Sequence, residues 1–173
     1  MSIEKVKTYF HQYGMENKIL EFDVSSATVD LAAQALNCEP CRIAKTLSFT
    51  VDDHTILIVM AGDAKIDNSK YKAQFGTKAK MLAPDEAESR IGHAVGGVCP
   101  FAVNKDVIIY LDYSLKRFET VFPACGINYN LIIGCFQYPE HFFLILHLSA
   151  PDALSLRYFF CTQRFSLPNL LFL

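Results

Sequence analysis

Lys45 lies in Arg42-Ile43-Ala44-Lys45-Thr46-Leu47, and on a strand the alternation that buries Ile43 and Leu47 would aim its ammonium with them, toward the interior or a cleft. A cation so placed suits a catalytic lysine, although a lysine that lays its stem along the core and keeps its head in water shows the same pattern and is commoner. In Gly92-His93-Ala94-Val95-Gly96-Gly97-Val98-Cys99-Pro100-Phe101, two glycines precede a proline, so the backbone can turn tightly and offer bare amides to a ligand. A plain turn needs the same residues, and His93 is of interest because it adjoins that pair. Five lysines between residues 65 and 80 (Lys65, Lys70, Lys72, Lys78 and Lys80) face Asp67 alone, a local positive excess that suits either phosphates or a solvated face.

Other constellations are weaker. Cys38-Glu39-Pro40-Cys41 has the spacing of a redox dithiol or half a zinc site. A redox pair wants its first thiol at a helix N-terminus, and this pair follows the end of an expected helix. A zinc site needs two more ligands at good spacing, and Cys99 and Cys125 stand apart. Ordinary packed thiols are the simpler account, and no metal or cofactor is expected. The sequence carries no G-x-S-x-G, H-E-x-x-H, G-x-x-x-x-G-K or G-x-G-x-x-G pattern, and His11, His54, His141 and His147 have no nucleophile or carboxylate at catalytic spacing.

The elements that must position these residues follow from periodicity. Ile3, Val6, Tyr9, Phe10 and Tyr13 repeat at helical spacing behind Ser2, giving a helix over 2–13. Lys18 to Asp23 alternates as a strand, and Ser25 and Ser26 are candidate caps for a helix through Val29, Leu31, Ala32, Ala35 and Leu36. Thr46–Val51 and Thr55–Met60 read as a hairpin around Asp52-Asp53-His54. A short helix ends at Gly76, a strand covers 79–82, and a helix runs from Pro84 to Ile91 and stops at Gly92. Val107–Leu111 and Thr120–Phe122 are further strands. Helices and strands interleave without strict alternation, which predicts a mixed-sheet α/β domain.

Composition bounds the rest. The 173 residues, 51% of them hydrophobic, suffice for one globular core without disulfides, and the net charge of -2 leaves any nucleic acid to be held by a local patch. The mixed charges at the start argue against a secretory signal, so a cytoplasmic protein with reduced cysteines is expected. The twenty uncharged residues from Thr120 to Pro139 contain Pro123, Gly126, Asn128, Asn130, Gly134 and Gln137 and do not read as a membrane span. Composition changes near residue 127: from there on no lysine occurs, and seven of the 14 phenylalanines are found there. The expected organisation is therefore a core over 1–126 and an atypical apolar tail over 127–173, which either completes the sheet of the same domain, mediates contact between copies, or comes from an altered reading frame.

Four segments taken together carry a resemblance: Arg42-Ile43-Ala44-Lys45-Thr46-Leu47; Ala61-Gly62-Asp63 with Lys65 and Asp67; Val95-Gly96-Gly97-Val98-Cys99-Pro100-Phe101; and Tyr110-Leu111-Asp112. In order and spacing, over residues 3 to 126, they resemble YbaK/ProX-type editing domains, stand-alone relatives of the prolyl-tRNA synthetase insertion domain. The resemblance implies a mixed, curved β-sheet with flanking helices. It also implies hydrolysis, in trans, of the ester that joins a wrong small amino acid of the Cys, Ala, Ser or Thr type to a tRNA. On this reading Lys45 polarises the carbonyl or terminal ribose, the Gly96 and Gly97 amides position the carbonyl, and water attacks with help from the substrate's own groups, without a cofactor. Ser26 and Thr28 correspond to the wall that sets amino-acid size, and Thr46 and His93 join them in substrate binding; from charge alone, Lys65, Lys70 and Lys72 are expected to contact the tRNA acceptor stem. The expected partners are mischarged tRNA and an aminoacyl-tRNA synthetase, with no membrane. The tail departs from the family, which continues with a strand of alternating acidic and apolar residues and a charged final helix. The alternative from another class is a non-catalytic module of the same fold that binds tRNA ends or a synthetase.

Overall fold

The computed structural model describes residues 3–126 in full and the backbone of 130–132, 134–135 and 144–146. Helix α1 (Ile3–His11) buries Val6 and Phe10, and is followed by β1 (Ile19–Glu21), α2 (Val29–Leu36) and the long hairpin of β2 (Ile43–Val51) and β3 (His54–Ala61). Then come α3 (Asn68–Phe75), α4 (Ala87–Ile91), β4 (Ile108–Asp112), β5 (Thr120–Pro123), β6 (Asn130–Ile132), β7 (Gly134–Cys135) and β8 (Leu144–Leu146). No helix among the described residues is long and apolar enough to cross a membrane.

The main sheet has the order β7-β5-β2-β3-β4-β8 and is mixed: β2 runs antiparallel to β3 but parallel to β5, and β3 runs parallel to β4. A second, two-stranded sheet pairs β1 with β6. Three strands beyond residue 127 thus pair with strands before it, through β1–β6, β5–β7 and β4–β8.

The β2–β3 hairpin forms because two β-rich runs flank Asp52 and Asp53, whose φ angles of 45° and 65° make the two-residue turn that matches strand twist. Its alternation sorts side chains onto two faces. One carries Ala44, Val59 and Ala61 against Leu111, Leu115 and Val121; the other carries Phe49, Ile56 and Ile58 against Tyr71 of α3. The six buried residues of the first cluster, from five elements, make the β3 end of the sheet a rigid platform.

Several expectations need correction. Helix α2 is capped by Thr28, whose hydroxyl accepts the Leu31 N–H at 3.2 Å, rather than by Ser25 or Ser26, and α1 ends at His11 rather than Tyr13. The stretch 79–82 is not a strand: it makes one bridge, Met81 to Phe49, flanked by bonds from Thr50 N to Lys80 O and from Leu82 N to Ser48 O. It edges β2 where β5, which reaches only Ile43 and Ala44, leaves that strand uncovered. Residues 84–86 form a 3₁₀ turn before α4, and Tyr113–Arg117 forms another that periodicity did not reveal.

Candidate active site

Lys45 sits on β2 opposite Met60 of β3, one residue before the hairpin's last pair, Ala44 with Ala61. Its half-buried ammonium donates to the Gly62 carbonyl at 2.8 Å and to the Ala64 carbonyl. Those two carbonyls flank Asp63, so the turn after β3 wraps its peptide oxygens over the cation. Burial pushes the ammonium below its ordinary value, Asp63 opposes that, and Lys65 adds to it.

The turn cannot sit elsewhere. A Cβ on Gly62 would lie 2.1 Å from the Pro40 carbonyl oxygen and 2.7 Å from Cγ1 of Val29, so only glycine lets this backbone meet the 3₁₀ turn Pro40–Arg42 and the start of α2. The Ala61 N–H donates to Ser114 Oγ at 3.1 Å. Ser114 belongs to the 3₁₀ turn capped by the buried Asp112, whose carboxylate accepts the Ser114 N–H at 2.9 Å. Arg117, on the same turn, grips Asp63 with both terminal nitrogens, Nη1 to Oδ2 at 2.9 Å and Nη2 to Oδ1, and donates from Nε to the Ser114 carbonyl at 3.0 Å. Arg117 holds the Asp63 carboxyl below the usual carboxylate value, with Lys45 a minor contributor.

Of the other expected site residues, Thr46 lies beside Lys45 but on the opposite face, opposite Val59, with Oγ1 buried and without a hydrogen-bond partner among the described residues. Val98 packs on the cluster that holds Leu57, a residue of that same face, so Thr46 shares its side of the sheet with the 92–101 loop. Ser26 and Thr28 lie three residues and one residue before Val29, the first residue of α2, whose Cγ1 lies 2.7 Å from where a Cβ on Gly62 would stand. The Thr28 hydroxyl already accepts a bond as helix cap, which leaves its proton for another contact.

The glycine loop divides its work. Gly96 is exposed at φ +86°, and its N–H has no partner among the described residues. Gly97 is buried, and its N–H closes a turn onto the Ala94 carbonyl at 3.0 Å, so the amide role expected of both glycines narrows to Gly96. His93 does not line an open surface: it is 3% exposed, and Nε2 donates to the Phe101 carbonyl at 2.7 Å with Cys99 Sγ at 3.5 Å. Burial holds the imidazole below its ordinary value and pushes the Cys99 and Cys125 thiols up to about 11 and about 12. Uncharged at neutral pH, these groups brace the loop from inside.

Lys65 and Lys72 are exposed and Lys70 half-buried, along the loop after Lys45's turn and on α3, which Asp67 caps through the Ser69 and Lys70 amides. Cys38 and Cys41 are free and half-buried beyond the C-terminus of α2, and burial raises the Cys38 thiol. That is the reverse of an activated thiol. Among the described residues no three His, Cys, Asp or Glu side chains gather as a metal set. Periodicity missed Arg117, Ser114 and the Pro40 contact, because none of them shows any pattern before the chain folds. Asp63 and Gly62 were visible only as part of Ala61-Gly62-Asp63.

The chain belongs to the aminoacyl-tRNA editing domain family, whose model matches residues 24–135 and so takes in Lys45, the turn that holds it and the glycine loop. It is similar to YwhH of Bacillus subtilis (strain 168), named as an uncharacterized protein, with 55% identity over 127 residues that cover 73% of this chain and 81% of that protein. It is 35% identical over 102 residues to the proline--tRNA ligase of Shouchella clausii (strain KSM-K16), covering 58% of this chain but only 18% of the ligase. Among solved structures, a protein described as a candidate trans-editing enzyme for prolyl tRNA synthetase superposes with a TM-score of 0.76 at 25% identity, over 87% of this chain and 99% of that one. A hypothetical protein, APE2540, shares the fold at a TM-score of 0.75 and 21% identity, over 84% of this chain and 99% of that one.

Proposed function

We propose that this chain is a trans-acting deacylase that hydrolyses the ester of a tRNA mischarged with a small amino acid of the Cys, Ala, Ser or Thr type. The observation that carries the reading is Lys45. In a chain of the editing family, its half-buried ammonium rests on two neutral carbonyls while the Asp63 carboxylate is engaged by Arg117, so its positive charge stays available. Water adds to the ester carbonyl carbon, negative charge develops on the carbonyl oxygen, and the bond to the terminal ribose breaks, leaving a free amino acid and a tRNA hydroxyl. Lys45 supplies positive charge to the carbonyl or ribose, and the free Gly96 N–H supplies a donor. Positioning takes the place of a covalent nucleophile.

In this reading Ser26 and Thr28 form the wall that excludes large side chains, while Thr46, whose buried hydroxyl lies on the face opposite Lys45, is left out of the substrate contacts. A hydrophobic wall alone separates neighbours differing by one methylene by only about 1–3 kcal/mol, so several small amino acids pass. His93 supports the loop that carries Gly96. Lys65, Lys70 and Lys72 meet acceptor-stem phosphates, and their neutralisation flattens the salt dependence of tRNA binding. Residues 1–126 form most of the editing core, strands from beyond residue 127 add to its sheets, and the protein works in the cytoplasm where aminoacyl-tRNAs are made. The similarity to a segment of proline--tRNA ligases supports a prolyl-tRNA synthetase as partner.

The test is amino-acid release from tRNAs charged with Cys, Ala, Ser and Thr, against uncatalysed hydrolysis. Release of one or more above that baseline names the substrate. No release by folded protein from any of them rejects the deacylase and leaves the binding module.

A further inference from the structure

We propose that Arg117 is a positioning residue of this site, and that its task is to keep the Asp63 carboxylate away from Lys45. The inference rests on the deacylase reading for its consequence but on geometry for its content.

Asp63 is the middle residue of a three-residue turn whose outer two carbonyls both accept bonds from the Lys45 ammonium. A carboxylate one residue from each of those carbonyls is a natural competitor for the cation, since an ionised acceptor binds an ammonium more strongly than a peptide oxygen does. It does not take it, because both of its oxygens are gripped by Arg117. Arg117 can do this because the planar guanidinium matches a carboxylate bidentately, and because it is itself aimed: Nε is tied to the Ser114 carbonyl and the group stacks 4.9 Å from the Phe118 ring. Lys45 thus satisfies two of its three donors with neutral groups, and the third has no partner among the described residues. A lysine paired with Asp63 would present a neutralised dipole to an ester carbonyl; the lysine seen here presents a full charge. The pair is about half-exposed, so its worth to stability is small and its value lies in where it directs the charges.

The discriminating experiment is a rescue. Arg117→Ala frees Asp63 to turn onto Lys45, and kcat for hydrolysis of the aminoacyl-tRNA that wild type clears is expected to fall about tenfold with the melting temperature nearly unchanged. Adding Asp63→Asn removes the competitor, and the double variant is expected to return to within about threefold of wild type. If Arg117 merely braced the turn, the double variant would be no better than Arg117→Ala, which overturns the proposal. A second readout needs no turnover: the Lys45 ammonium, followed by NMR titration in the full chain, should titrate at higher pH in Arg117→Ala and return toward the wild-type value in the double variant. An unchanged Lys45 titration in Arg117→Ala overturns the proposal even if the deacylase stands. A shifted and rescued titration in a protein that releases no amino acid upholds the guard and rejects the deacylase.

Discussion

The turn after β3 and the loop after α4 carry the two backbone segments assigned to the chemistry in the proposed function, yet opposite means hold them. The Gly62–Ala64 turn is fixed by charges, an ammonium on two carbonyls and a guanidinium on a carboxylate, beside the Ala61 N–H that donates to the Ser114 hydroxyl. The Gly92–Phe101 loop is fixed by buried groups kept uncharged, His93 on a carbonyl and Cys99 in a core shared with Val6 and Phe10. The division makes chemical sense. On the deacylase proposal the first region presents a positive charge, and its carboxylate is occupied by Arg117. On the same proposal the second presents the Gly96 N–H, and a buried carboxylate beneath it would compete for that donor.

The contrast can be broken from either side. The largest effect on stability is expected from Gly62→Ala, because the added carbon meets the Pro40 carbonyl oxygen at 2.1 Å, a backbone atom that cannot swing aside as a side chain would. A cost of about 1–3 kcal/mol is expected, visible as a fall in melting temperature, together with loss of the Lys45 anchorage. Gly96→Ala comes next. At φ +86° a side chain costs roughly 1–2 kcal/mol, and here relaxation of the loop should appear as a lower kcat more than as unfolding.

Smaller effects lie in the pH dependence. The folded-state value of His93 is lowered from an ordinary 6.5, so the unfolded chain takes up the proton first and stability falls as pH drops below about 6.5 toward the folded value. His93→Gln should remove that limb from a plot of melting temperature against pH. Asp63, also lowered, stabilises the fold above its ordinary value near 3.8, and that contribution fades as pH falls through the folded value. Because the pair is half-exposed, Asp63→Asn should flatten the acid limb by less than about 1 kcal/mol.

Much of this was legible before folding. The β2–β3 hairpin followed from β-rich runs and a two-Asp turn, and the place of Lys45 from its apolar neighbours, because strand alternation is a local property. Family-like motifs pointed to the Ala61-Gly62-Asp63 turn and the glycine loop. What could not be read was pairing across distance. Nothing local ties Arg117 to Asp63, 54 residues away, or Ser114 to Ala61, 53 residues away, and the two glycines look alike until one is seen to donate its N–H within the turn. The Thr28 cap was missed for a local reason: Ser25, Ser26 and Thr28 are all good caps, and only the start of the helix decides among them.

The most direct test of the central claim, that Lys45 brings an unneutralised charge to an ester, is single-turnover deacylation by wild type and Lys45→Ala on the aminoacyl-tRNA that wild type clears. The predicted result is a loss of about 10²–10³-fold in the rate of the chemical step, with the fold retained. Equal rates in the two folded proteins would contradict it.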